Sequence, residues 1–209
     1  MSFWGDLYRR TEIRDHETTR VEAKAVVDAL SGAAGRVLDV GCGDGLHMSL
    51  LRKEGFNVVG VDFDKTIASG TCDFGDMRHL PYPDAYFGGA YCLRNTAFGF
   101  SDEDLLRVWT EMARVLKPSA PLFVTYTDPS WAAAVFESPT TTIVGDAVES
   151  AHFAGGRMTL ERLSGSLHGT ISVRLPLLGE LADMAEDVGL RLESTSLHAW
   201  ERRVTMRRA

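Results

Sequence analysis

The run Val37-Leu-Asp-Val-Gly-Cys-Gly-Asp-Gly45 restricts the fold of this chain more than any other stretch. A short apolar strand, Arg36–Val40, leads into it. A helix over Gly45–Glu54, with apolar Met48, Leu50 and Leu51, leads out. Glycines let the backbone turn sharply and let a ligand approach it closely. In an open α/β sheet such a loop lies at the carboxyl edge of the strands, where ligands bind. The spacing is Gly-x-Gly-x-Gly, not the Gly-x-Gly-x-x-Gly of a dinucleotide loop. Asp39 and Asp44 make the loop acidic. That pair repels a pyrophosphate and attracts an ammonium group, so the loop points away from a nicotinamide dinucleotide and toward a nucleoside carrying an amine.

The elements around the loop alternate. Asn57–Val61 reads as a second buried strand and ends at Asp62. A carboxylate about 20 residues beyond such a loop can accept hydrogen bonds from both ribose hydroxyls; Asp64 is the alternative. Thr71–Phe74 and Tyr86–Leu93 read as further strands, and Leu122–Tyr126 as a fifth. A helix is expected over Glu17–Leu30, with Val21, Ala25, Val26 and Leu30 near helical spacing. Ser101–Lys117 is the clearest helix. Ser101 and Asp104 resemble a capping box, acids crowd its start, and Leu105, Val108, Met112 and Val115 form its stripe. Leu177–Val188 gives the last helix, and Leu190–Leu197 with Trp200–Met206 a closing antiparallel pair. The expectation is a Rossmann-like, doubly wound α/β fold: a mostly parallel seven-stranded sheet with helices on both faces. Trp131–Leu175, rich in Ser, Thr and Gly, breaks the alternation and is expected as a β-rich insertion after the fifth strand.

Composition narrows the function classes. With 22 Lys and Arg against 29 Asp and Glu, the 209-residue chain carries a formal charge of −7. That argues against a nonspecific grip on nucleic acid, which needs a basic field. Cys42, Cys72 and Cys92 show no metal-ligand spacing and no even disulfide count, so zinc is not expected and a reducing, cytoplasmic setting is. The first residues lack the apolar core of a signal peptide, and the longest apolar runs, such as Trp131–Phe136, are too short to span a bilayer. Neither a membrane nor a nucleic-acid partner is expected. A single domain of residues 1–209 is, as a monomer or homodimer.

Residues 37–45 together with Val-Val-Gly-Val-Asp at 58–62 resemble the class I S-adenosylmethionine-dependent methyltransferases. Gly75-Asp-Met-Arg-His-Leu-Pro-Tyr-Pro83 resembles that family's third landmark, and Ala-Arg-Val-Leu-Lys-Pro at 113–118 the turn before its fifth strand. The resemblance implies S-adenosylmethionine as cofactor and S-adenosylhomocysteine as product. It implies that Asp39 and the backbone of Gly41, Cys42, Gly43 and Gly45 hold the methionine end. Asp62, with Phe63 beside it, takes the ribose. Asp76 takes the adenine amino group, Met77 packs on the ring, and Cys92 and Leu93 present backbone near the sulfonium. Two departures stand out. Lys65–Gly70 leaves room for only a short helix or none, and Ser119-Ala-Pro121 replaces the family's commoner glycine pair.

The expected reaction is methyl transfer to N or O of a small molecule. Leu93-Arg94-Asn95-Thr96 lacks the acids a hard cation needs, so no metal is expected. Acceptor contacts are expected from an N-terminal lid at 1–16 (Phe3, Trp4, Tyr8, His16), from Tyr91–Phe100, and from Tyr126–Asp128, under a cap at 131–175. Catalytic candidates are Arg94, Tyr91, His16 and Tyr126. Arg94 either binds an acceptor carboxylate or pairs with a neighbouring acid. Six His residues are scattered along the chain with no spacing that singles out a pair; His47, just after the glycine loop, stands either near the cofactor or as a surface or structural histidine. A non-catalytic partner subunit and an NAD-linked oxidoreductase are the alternatives.

Overall fold

The computed structural model describes residues 16–64, 72–144, 147–165 and 167–209. Helix α1 (His16–Ala29) is followed by β1 (Arg36–Val40), α2 (Leu46–Lys53), β2 (Asn57–Asp62), β3 (Asp73–Phe74) and β4 (Gly89–Cys92). Next come α3 (Asp102–Val115), β5 (Pro121–Thr127) and α4 (Pro129–Phe136). Strands β6 (Thr140–Val144), β7 (Ala147–Ala154), β8 (Arg157–Ser164) and β9 (Leu167–Arg174) lead to α5 (Leu178–Asp187), β10 (Leu190–His198) and β11 (Glu201–Arg208).

The main sheet has seven strands in the order β10-β11-β5-β4-β1-β2-β3. Strands β1 to β5 run parallel; β11 pairs antiparallel with β5 and with β10. Their central members are apolar almost throughout, as strands covered on both faces must be. One cluster joins α1 and α2 to the sheet through Val26, Leu30, Met48, Leu51, Val37 and Val58. The other joins α3 and α5 through Val108, Trp109, Met112, Leu181, Leu38 and Val124. The chain leaves β1 toward β2 on one side, while β4 occupies the other. That reversal opens a crevice beyond the carboxyl ends of β1 and β4.

Several local expectations are corrected. The stripe of α1 is turned relative to the one expected: Val21 is 37% exposed, while Thr19, Glu22, Ala23, Val26 and Leu30 are buried. Strand β4 is shorter than Tyr86–Leu93, and β3 is a two-residue edge. Gly45 lies before α2 rather than in it, at φ 78, in the left-handed region. The stretch after β5 begins with a helix, α4, because Asp128 caps it and Pro129 fits its first turn. Only then come β6 to β9, a separate four-stranded antiparallel sheet. Its strand β8 is tied to the start of α3 by Arg157, which donates to Phe100 O and pairs with Asp102. The lid residues Phe3, Trp4 and Tyr8, and the segment 65–71, lie outside the described residues.

Candidate functional site

A cavity of about 750 Å³ opens at the carboxyl ends of β1, β2 and β4 and extends to β9. Gly41, at φ 75, forms part of its floor. A Cβ there would stand 2.4 Å from Thr96 Cγ2, so no other residue fits without displacing that neighbour. Gly43 faces open space: a Cβ would meet nothing within 4 Å. The loop backbone is thus exposed to a ligand on one side and packed against protein on the other.

Three carboxylates follow one another along the sheet edge. Asp39, on β1, is 4% exposed and accepts a 2.8 Å hydrogen bond from Tyr91 Oη. Burial raises its pKa to about 7, and the Tyr91 bond opposes that rise. Asp62, at the end of β2, accepts from Gly43 N through Oδ2 and from Asp64 N through Oδ1, each at 2.9 Å. A carboxylate oxygen carries two lone pairs, so each Asp62 oxygen keeps capacity for a hydroxyl donor. Asp76, beyond β3, is held by Arg78, with Nη2 2.6 Å from Oδ2. That hydrogen bonding holds its pKa below the usual range. Arg78 also reaches Asp104 of α3 at 2.9 Å.

The opposite wall is built around a carboxylate that the sequence reading passed over. Glu22, 6% exposed on α1, accepts from Arg94 Nε at 2.9 Å and Nη2 at 2.8 Å, and lies 2.9 Å from His47 Nε2. Burial alone would raise its pKa; the hydrogen bonds from His47 and Arg94 outweigh it and lower the value to about 2. Of the two roles open to Arg94, the ion pair is therefore present. Arg94 and Asn95 both adopt positive φ, 56 and 64. The main sheet pins them: Arg94 N donates to Thr125 Oγ1, and the Asn95 side chain exchanges hydrogen bonds with Thr127. Glu22 was legible as a charge inside a helix's apolar stripe, a position acids rarely occupy unless paired.

Asp39, Gly41, Cys42, Gly43, Asp62, Phe63, Asp76, Met77, Leu93, Arg94 and His47 all line the cavity. Gly45, Cys92, Tyr91 and Tyr126 do not. Gly45 turns the chain into α2, and Cys92 is enclosed within the sheet. Tyr91 is fully buried with its hydroxyl on Asp39, so it acts on the site only through that carboxylate. Tyr126 faces the α3 side, its ring centroid 4.9 Å from that of Phe98, and its hydroxyl makes no hydrogen bond among the described residues. Asp128 caps α4 and pairs with Arg202. The side chain of His16 is outside the described residues. Phe100, the last residue of the stretch expected to contact the acceptor, and Thr170 to Val173 of β9, within the expected cap, complete the wall.

Residues 38–124 match the family model described as a methyltransferase domain. The matched stretch runs from β1 into β5 of the main sheet. Solved methyltransferases share its fold. The CcbJ methyltransferase of Streptomyces caelestis is 18% identical, with a TM-score of 0.77 over 94% of this chain and 97% of that one. CalS10, an amino pentose methyltransferase of Micromonospora echinaspora solved with S-adenosylmethionine bound, is 17% identical, with a TM-score of 0.70 over 100% and 98%. The sugar N-methyltransferase KedS8 of a Streptoalloteichus species is 19% identical, with a TM-score of 0.67 over 98% and 92%. No sequence among the curated proteins matches the chain.

Proposed function

We propose that the protein is an S-adenosylmethionine-dependent methyltransferase that acts on a nitrogen or oxygen atom of a small polar acceptor. One observation carries the reading: a single cavity runs from the glycine loop to the hydroxyl-bearing strand β9. Its size is that of a small-molecule site. The glycine loop and the acids beside it suit a cofactor. The far portion, with Asn95, Phe100, Thr170 and Ser172, offers hydroxyls, an amide and an aromatic face. That mixture suits an acceptor of sugar size. Two solved neighbours are an amino pentose and a sugar N-methyltransferase, which makes amino sugars the first acceptors to test.

The roles follow the order of the strands. Asp39 and the loop from Gly41 to Gly43 hold the methionine end. Asp62 receives the ribose hydroxyls with its remaining lone pairs. Asp76, Met77 and Phe63 enclose the adenine, and Leu93 offers backbone near the sulfonium. When bound, S-adenosylmethionine supplies an electrophilic methyl group. The protein aligns the nucleophile behind it and keeps water out. An amine acceptor needs only to lose a proton, so no residue is assigned as base. Residues 131–175 serve as the substrate cap of one domain.

The test is a mass-spectrometric screen of amino sugars and hydroxylated small molecules with S-adenosylmethionine. The expected result is an acceptor gaining one methyl group as S-adenosylhomocysteine appears. Methylation of RNA or protein in the same assay, with every small acceptor unchanged, overturns the reading.

A further inference from the structure

Glu22 joins three separate parts of the cavity wall. It belongs to α1, whose Thr18 and Thr19 line the cavity. It binds His47 of α2, just beyond the glycine loop, and Arg94, just beyond β4. Arg94 and Asn95 occupy backbone conformations that L-residues adopt at a cost, and such strain persists only where surrounding contacts enforce it. The two-pronged Glu22–Arg94 contact is one of those constraints, and it fixes a guanidinium in plane as well as in position.

The amino-acid end of S-adenosylmethionine carries an ammonium and a carboxylate. Asp39 has the charge for the first. Among the described residues that line the cavity, Arg78, Arg94 and His47 carry basic side chains. Arg78 is committed to Asp76 and Asp104 beyond β3. Arg94 follows β4, three strand spacings from β3, or about 14 Å along the sheet edge. His47 and Arg94 therefore flank the glycine-loop end of the cavity, and Glu22 holds both.

We propose that Glu22 is a positioning residue: through Arg94 and His47 it fixes the wall that faces the amino-acid end of the cofactor. This rests on the cofactor arrangement proposed above. The Arg94 guanidinium attracts the cofactor's carboxylate, and Glu22 holds both it and the His47 ring in place in the absence of ligand.

Two ligands separate this role from a structural one. S-adenosylhomocysteine has the amino-acid end; 5′-methylthioadenosine has the nucleoside and sulfur without it. Calorimetry of both against wild type and Glu22→Gln is expected to show S-adenosylhomocysteine weakened about tenfold or more. 5′-Methylthioadenosine is expected to stay within about twofold. Arg94→Lys keeps the charge, loses the two-pronged contact, and is expected to give the same selective loss; it decides the matter if Glu22→Gln folds poorly. Equal weakening of both ligands, or no change in either, overturns the proposal. Wild type binding neither ligand would instead overturn the cofactor arrangement on which it rests.

Discussion

Burial lifts Asp39 to about 7, and the Tyr91 hydroxyl works against that rise. The balance has consequences for both affinity and stability. An ionised Asp39 attracts the cofactor's ammonium, so S-adenosylhomocysteine affinity is predicted to increase as pH rises through 7. Tyr91→Phe removes the opposing hydrogen bond, and the midpoint of that increase is predicted to move upward, as calorimetry at several pH values will show. For folding the sign is opposite. The folded-state pKa is raised from 3.8, so the native protein holds a proton that the unfolded chain has released. Stability is full below 3.8 and declines as pH rises toward 7. Asp39→Asn is therefore predicted to raise the melting temperature at pH 8 while weakening cofactor binding, a trade common at sites. Ser119 offers a change without such a trade. It has φ 64 in the turn before β5, where the resembling family commonly has glycine. Ser119→Gly is predicted to stabilise the fold by about 0.5–1 kcal/mol, the left-handed strain relieved less the entropy glycine adds to the unfolded chain. Urea unfolding measures it.

Elements place these residues, and their boundaries explain what was readable beforehand. The glycine loop was legible because strand, turn and helix each carry their own signal, and because Gly41 has no room for a side chain beside Thr96. Gly41→Ala is predicted to destabilise the protein by about 1–3 kcal/mol and to abolish S-adenosylhomocysteine binding. Glu22 was harder to see. Its partners lie 25 and 72 positions away, so only the fold brings them together. Tyr91 and Tyr126 looked like site residues because they stand at strand ends; the sheet places one beneath Asp39 and turns the other toward Phe98. The start of α4 was written plainly in Asp128-Pro129-Ser130, but the Ser- and Thr-rich stretch after it drew the reading toward strands. Strand β9 gives a test of the cap. Ser172→Trp is predicted to cut acceptor turnover at least tenfold and to leave S-adenosylhomocysteine affinity within about twofold, since it adds bulk to the far portion of the cavity.

Across the whole molecule, one cavity lies along the carboxyl edge of a doubly wound sheet. From β4 through β1 and β2 to β3 it meets Arg94, Asp39, Asp62 and Asp76 in turn. Its charge pattern matches a zwitterion at one end and a nucleoside at the other. The alternation of strands and helices announced this frame, since apolar runs and turn residues repeat locally. The four-stranded sheet and the acceptor wall were less legible, because their side chains meet only across long separations. The central claim is that this edge holds S-adenosylmethionine with Asp62 on the ribose. Calorimetry of S-adenosylhomocysteine against wild type and Asp62→Ala tests it most directly. The account predicts saturable one-site binding that the substitution weakens at least tenfold with the fold intact. Equal affinity in the two proteins would contradict it.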